Sequence, residues 1–467
     1  MRKQVLMVAL TLAGAAVSAA PAAPPPAPAA PPTIATQPLL KSVAADVSEA
    51  ELRKSLTALV GFGTRHSLSD TASPTRGIGA ARRWTAGRFA DFSKACGGCL
   101  SVATPAETFT GKRIPTSVEI VDVLAVQRGT GDPNRVIIMS GHIDSRVSDP
   151  INATSDAPGA NDDGSGTAAV IEAARVLSRH KFDATIVYAV LSGEEQGLLG
   201  GKLLAKYARA QGWKVEAVLN NDIIGNSTGS SGVKDATHVR VFSEGTKAVE
   251  TPEQANARRY NGGEVDSPAR NLARFIDGLA ERYLAPFDVT MVYRTDRYAR
   301  GGDQVPMLEA GYPAVRLTEM QEHYDRQHQD LRTENGRVYG DVLSGVDFTY
   351  LANVTRLNVV AIAALASAPP PPDTVTIEGS VSPDTKVSWS AVPGAASYDV
   401  WWRATDAAQW PHKRSVGDGS TSVTLPGVTI DTWFFGVSSV SAAGFASPIE
   451  FPGPAGAFFT PTKTDKP

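Results

Sequence analysis

The chain is 467 residues long, with 42% hydrophobic residues, 20% charged residues and a formal net charge of −3. That length exceeds one ordinary domain, so two are expected, and the composition is that of a soluble globular protein. No clustered basic face is evident, which excludes a nucleic-acid footprint.

Arg2 and Lys3 give a positive start, Val5 to Val17 is a nearly unbroken apolar run, and Val17-Ser18-Ala19 offers small residues for cleavage. Residues 1–19 therefore read as an export signal. The run is shorter than the ~20 apolar residues a membrane span needs, and no later stretch reads as long and apolar enough to cross. After signal cleavage the protein is expected to be periplasmic or extracellular, with no membrane insertion. Residues 20–40, rich in alanine and proline, read as a tether. Cys96 and Cys99 are the only cysteines, in Cys96-Gly97-Gly98-Cys99. They cannot build a four-thiolate site, and in an exported chain a small disulfide is expected. Gly111-Lys112-Arg113 reads as a turn.

Over residues 41–368 strand and helix signals alternate. Val136 to Met139 predicts a strand running into Ser140-Gly141-His142, and Gly166 to Leu177 a helix. Ala184 to Leu191 predicts a second strand, Leu198 to Ala210 a second helix, Val215 to Leu219 a third strand, and Asn353 to Leu365 a late helix. Such alternation implies an α/β, three-layer α/β/α fold with a mixed, largely parallel sheet. Binding sites in such sheets lie beyond the carboxyl ends of strands, where His142, Glu194, Glu195 and Asp222 all fall. A proline run at 369–373 marks a linker. Residues 374–460 then carry short alternating segments such as Tyr398 to Trp402 and Trp433 to Val437, expected to form a small all-β sandwich with its aromatics in the core.

His142, Asp162, Glu195, Asp222 and His328 are candidate metal ligands, and Glu194 stands free beside the third. Zinc accepts imidazole nitrogen and carboxylate oxygen, and two zinc ions about 3.5–4 Å apart can clamp the attacking and leaving oxygens of a hydrolysis. Asp162 lies on a turn with Gly159, Gly164 and Gly166, pliable enough to approach both ions. Asp144, two residues after His142, suits an acceptor that fixes the imidazole tautomer. Adjacent glutamates at a strand-to-loop junction point apart, so Glu195 can bind metal while Glu194 serves as general base. Asp163 is expected to be solvated or to support its neighbour. His66, His180, His238 and His412 are given no role.

These residues sit in Gly141-His142-Ile143-Asp144-Ser145, Ala157 to Gly166, Gly193-Glu194-Glu195-Gln196-Gly197-Leu198, Asn221-Asp222 and Ala310-Gly311-Tyr312-Pro313-Ala314. Over roughly 47–365 this set resembles the secreted co-catalytic di-zinc aminopeptidases, relatives of bacterial leucyl aminopeptidases and of glutamate carboxypeptidase. The resemblance implies one zinc on His142 and Asp222, a second on Glu195 and His328, Asp162 bridging them, and Glu194 as general base. It also implies a mixed sheet of about eight strands and release of N-terminal residues from peptide substrates. Two departures stand out. Gly302-Asp303-Gln304 replaces a Ser-Asp-His stretch, so Asp303 remains to hold the substrate's amine while Gln304 takes the histidine's place. The last ligand, usually in Tyr-His-Thr, falls in Tyr324 to Asp330, where His328 is the better register and His323 the competitor; Tyr324 is expected at the substrate.

Three alternatives are a carboxypeptidase using Arg297, Arg300 and Arg316, a single-zinc glutaminyl cyclase, and a binding protein on a degenerate peptidase scaffold. The C-terminal segment is similar to a fibronectin type III module, with a polysaccharide, a protein surface or a spacer role open to it.

Overall fold

The computed structural model describes residues 36–452. The expected signal at 1–19, most of the expected tether and the expected sandwich residues 453–460 lie outside the described residues. The tether ends earlier than expected: Pro38–Ala45 is a helix with Leu40 buried. A proline in the first turn suits a helix start, because its missing N–H would have no partner there.

Eight strands form one mixed sheet in the spatial order Leu100–Ala103, Val123–Gln127, Thr185–Leu191, Arg135–His142, Lys214–Asn221, Ala314–Glu319, His238–Phe242, Asp288–Val292. The four central strands are parallel. Their neighbours Val123–Gln127 and His238–Phe242 run antiparallel to them. Central strands are apolar on both faces, as a doubly covered sheet requires. In Arg135–His142 the pleat sends Ile137 and Met139 into one core and Val136 and Ile138 into the other; in Thr185–Leu191 it separates Ile186, Tyr188 and Val190 from Val187, Ala189 and Leu191. The larger core is roofed by helices that include Gly164–Leu177 and Phe348–Ser367, the smaller by Leu199–Ala210 and Gln304–Glu309. Three layers result.

Phe348–Ser367 corrects one expectation. It is long and apolar enough to cross a membrane, but 83% of its apolar window is buried inside the protein, so it is the central core helix.

From Arg135–His142 the chain crosses to Thr185–Leu191 on one side, then to Lys214–Asn221 on the other. This reversal opens a crevice at the carboxyl ends of the three strands. A hairpin of Ala106–Gly111 and Ile114–Val121 stands beside it, seating Ile114 and Ile120 on Leu199 and Leu203. Cys96 and Cys99 are joined as a disulfide.

Beyond the proline run, two antiparallel three-stranded sheets face each other across Val387, Trp389, Tyr398, Val400 and Phe435. The sandwich is fastened to the peptidase body by buried charge. Asp266 accepts from Arg274 at 2.8 Å and from Arg403 of the sandwich at 2.6 Å. The Gln409 amide also donates to Asp277 at 2.5 Å. The described residues form one compact unit.

Candidate metal centre

His142 is the last residue of its strand, and Asp222 directly follows another. Glu194 and Glu195 follow Thr185–Leu191 across Gly193, whose φ of +78° lies in the left-handed region that glycine enters freely. Asp162 precedes helix Gly164–Leu177, and Asp163 caps that helix by accepting the Gly166 N–H at 2.9 Å. Asp163 is fully buried rather than solvated, and its other oxygen accepts the His142 N–H at 2.9 Å. A Cβ on Gly166 would stand 2.2 Å from the Asn221 carbonyl oxygen. Only glycine lets the helix start press this closely on the strand that delivers Asp222.

The crevice gathers six side chains into two groups: His142, Glu194 and Asp222 in one, Asp162, Glu195 and His328 in the other, with ligand atoms in each group within 4.8 Å of one another. Asp162 joins the two. Its Oδ1 lies 3.3 Å from His142 Nε2 and its Oδ2 lies 2.9 Å from His328 Nε2. Glu195 Oε1 is 3.0 Å from His328 Nε2, and Asp222 Oδ1 is 3.8 Å from His142 Nε2. Tetrahedral zinc at ordinary bond lengths spaces its ligand atoms roughly 3.3 Å apart, so the donor set fits zinc in type and spacing. Apart from that contact with His328, Glu195 Oε1 is buried with no other partner, a lone pair suited to a cation. Glu194 stands inside the first group rather than apart from it, and His323 belongs to neither group. His328 occupies the left-handed region at φ +53°, an uncommon conformation for a non-glycine residue.

The electrostatics point the same way. Burial opposes charge on His328, but Glu195 and Asp162 carry its pKa up to about 10. Burial also opposes charge on His142, yet the nearby carboxylates of Asp144, Asp162 and Asp222 hold it well above its usual value. Burial alone would raise Asp222; Arg316 and His142 hold it at about 2. The Glu194 carboxyl is pushed well up by burial, with His142 pulling against Asp222 and Glu195. Carboxylates so crowded call for positive charge at their centre, which protons or metal ions can supply.

Residues 122–345 match the model of Peptidase family M28. A "probable zinc metalloprotease" of Pyrenophora teres f. teres is 44% identical over 422 residues, covering 89% of this chain and 87% of the relative. The chain belongs to peptidase family M28. It is a zinc metallopeptidase. A relative of the same printed name from Leptosphaeria maculans is 44% identical over 419 residues, covering 89% of this chain and 97% of its own. The crystal structure of the Legionella pneumophila LapA aminopeptidase shares the fold, with a TM-score of 0.51 and 19% identity over 72% of this chain and 76% of that one.

Around these candidate ligands the M28 peptidase builds supports that its motifs do not announce. Asp341 is buried and accepts the backbone N–H of Asn161 and, at 2.7 Å, that of Asp162. Arg65, fully buried, donates to the carbonyls of Ile143 at 2.6 Å and Gly159 at 2.8 Å, latching the loops of His142 and Asp162 together. Neither position lies in a motif, and no sequence signal marks them. Arg146 directly follows Gly141 to Ser145, a signal that was available; its guanidinium donates to Glu195 Oε2 at 2.7 Å.

Asp144 acts differently from expectation. His142 Nδ1 lies 3.0 Å from the Asp144 backbone carbonyl and 3.5 Å from its carboxylate. The carbonyl sets the tautomer, while the carboxylate accepts the N–H groups of Glu194 and Glu195 at 3.3 and 3.1 Å. Asp144 is thus a positioning residue beneath the cluster.

A cavity of about 780 Å³ opens above, lined by Glu194, Tyr324 and four arginines, Arg113, Arg146, Arg297 and Arg300. Tyr324 is there as expected. Asp303 is not among the lining residues; it is buried under helix Leu199–Ala210 and accepts the Gly201 N–H at 3.0 Å. Arg316 is likewise no pocket residue, since it is fully buried behind Asp222 with 2.9 Å between them. Gln304, the departure from the family pattern, donates to Asp296 at 2.5 Å, and Asp296 pairs with Arg316 at 3.2 Å. Gln304 therefore steadies Asp222 at two removes. Arg113, expected only as a turn residue, reaches from the hairpin tip to the Glu195 carbonyl at 2.7 Å.

Proposed function

We propose that this zinc metallopeptidase is an exported aminopeptidase that binds two zinc ions and releases N-terminal residues from peptides. The observation that carries the reading is Asp162, whose two carboxylate oxygens reach separately toward His142 and His328, as a ligand shared between two ions must. In this reading one zinc is held by His142 and Asp222, the other by Glu195 and His328. Zinc bound there supplies Lewis-acid polarisation of the scissile carbonyl and a hydrolytic water acidic enough to lose its proton near neutral pH.

Glu194 then takes that proton and returns it to the departing amine. Its place at the cavity lining, beside His142 and Asp222, suits a group that carries a proton between water and the departing amine. Asp144 holds the backbone of Glu194 and Glu195 fixed during the transfer, and Arg146 keeps Glu195 in place. The substrate's free amine would lie beside this centre, at the floor of the cavity. The six intact positions count against a degenerate binding scaffold. We take the C-terminal sandwich as a fibronectin type III-like accessory module. Export rests on Arg2 to Ala19, and N-terminal sequencing of secreted protein tests it.

The test of the enzymatic reading is zinc per chain measured alongside cleavage of aminoacyl amides and of N-blocked peptides. Two zinc ions with cleavage of free-amine substrates alone is the expected result. Cleavage of blocked peptides overturns the aminopeptidase assignment, and one zinc with cyclisation of N-terminal glutamine turns it toward a cyclase.

A further inference from the structure

We propose that the arginines at the cavity mouth select peptides carrying a carboxylate on the residue that follows the scissile bond, either a dipeptide's own C-terminus or an acidic side chain. The inference rests on the aminopeptidase reading and adds a substrate class to it.

The cavity is lined by four arginines and by four carboxylates, Asp162, Glu194, Glu195 and Asp222. Three of those carboxylates are the ligands assigned above, so bound zinc neutralises the floor and leaves the arginines uncompensated by it. Other partners do not make up the difference. Glu322 is shared among Arg240 at 2.6 Å, Arg300 at 2.9 Å and Arg297 at 3.5 Å, one carboxylate against three guanidiniums. Arg297 also touches Asp296, which already serves Arg316. Arg113 has a backbone carbonyl as its partner, that of Glu195. Arg300 keeps 32% of its side chain exposed, and Arg113 is exposed at the hairpin tip.

Guanidinium forks match a carboxylate in two parallel hydrogen bonds, a geometry that a neutral amide meets poorly. A short substrate is then met at both ends, with its amine at the metal centre, as the aminopeptidase reading requires, and its carboxylate at the basic rim. Because the amine sits over the floor, the anion at the rim belongs to the leaving side of the bond.

The experiment uses the full-length, zinc-loaded chain with four substrates: Leu-Ala, Leu-Ala-amide, Leu-Glu-amide and Leu-Gln-amide. We expect kcat/KM to favour Leu-Ala over its amide, or Leu-Glu-amide over Leu-Gln-amide, by about ten- to a hundred-fold, the range of a charge-assisted hydrogen bond. Preference within the first pair assigns the anion to the C-terminus; preference within the second assigns it to the side chain. Arg300→Gln and Arg113→Gln should collapse that ratio, while Arg300→Lys should keep part of it. Zinc content of each variant reports whether the centre has stayed intact. Arg113, on an exposed tip, keeps the test decisive if Arg300→Gln misfolds.

A second readout is calorimetric binding of Leu-Ala and its amide to the zinc-loaded Glu194→Gln protein, with tighter binding of the acid expected. Equal rates within both pairs, with hydrolysis retained, overturn the inference and leave the aminopeptidase reading standing. Failure to hydrolyse any of the four sinks that reading instead, and calorimetry still decides whether the rim binds carboxylate.

Discussion

At the junction between peptidase body and sandwich, one buried carboxylate, Asp266, lies between Arg274 and Arg403, and the surplus positive charge of Arg403 faces the rings of Trp410 and Phe434. At the crevice the imbalance runs the other way: Asp162, Glu194, Glu195 and Asp222 crowd around two imidazoles. Both regions take charge out of water, which is costly unless partners replace the solvent. The junction pairs Asp266 with two guanidiniums of the same chain and so is a fastening, although Arg274 Nη2 and Arg403 Nε remain without a hydrogen bond. The crevice instead gathers its carboxylates and imidazoles into two groups whose ligand atoms could each hold a metal ion. A cluster of metal-binding side chains that faces a cavity marks chemistry; a carboxylate buried between two guanidiniums marks assembly.

The contrast can be broken by substitution. The largest effect is expected from Glu194→Gln, which should retain zinc while turnover falls by about a hundred- to ten-thousand-fold, the range of general acid–base catalysis; a rate near that of the parent removes Glu194 from its role. Next comes the fastening. Asp266→Ala strands two buried guanidiniums and should cost about 3–5 kcal/mol in denaturant unfolding, with zinc affinity of the folded protein unchanged. If that variant instead loses zinc without losing stability, the division between fastening and chemistry fails.

Asp341→Asn is a finer test. It keeps the shape but weakens the grip on the Asp162 backbone, and zinc affinity in competition with a chelator should fall about ten- to a hundred-fold, as for other residues that orient metal ligands. The smallest effect concerns Asp277 at the junction. Burial, then Glu281 and Asp288, raise its pKa to about 7 in the fold, above its unfolded value. A raised folded pKa means its contribution is fully present below the unfolded pKa and is lost as pH rises through about 7. Asp277→Asn should therefore gain melting temperature over the parent at pH 8 relative to pH 5 (two pH values on either side of about 7). A gain that does not change with pH would assign the effect to packing instead.

Much of the body was legible because its signals are local. The strand Val136 to Met139 announces itself by β-branched residues, and the observed strand Arg135–His142 extends it to the ligand. Asp162, Glu194, Glu195 and Asp222 lie in glycine-marked motifs at strand ends, where a doubly wound sheet must place a site. His328 was harder to read, since its loop departs from the family pattern and its register stood against His323. Distance favours His328, which stands 2.9 Å from Asp162 and 3.0 Å from Glu195 while His323 joins neither group. Asp303 was misjudged because a motif position says nothing about depth, and helix Leu199–Ala210 covers it. Arg65 and Asp341 were invisible because each acts through backbone groups distant in sequence.

The sequence by itself determined the layered fold, the candidate ligand set and the acidic character of the crevice floor, because periodicity, glycine turns and donor chemistry are properties of short stretches. Tertiary structure alone decided that Asp162 turns one oxygen to each histidine, that Arg316 stands behind Asp222 while Arg113 and Arg300 face the cavity, and that Asp266 ties the sandwich to the body. Those outcomes depend on which distant loops meet and how deeply each is covered, and burial is what turns a charged side chain into a ligand, a brace or a recognition group.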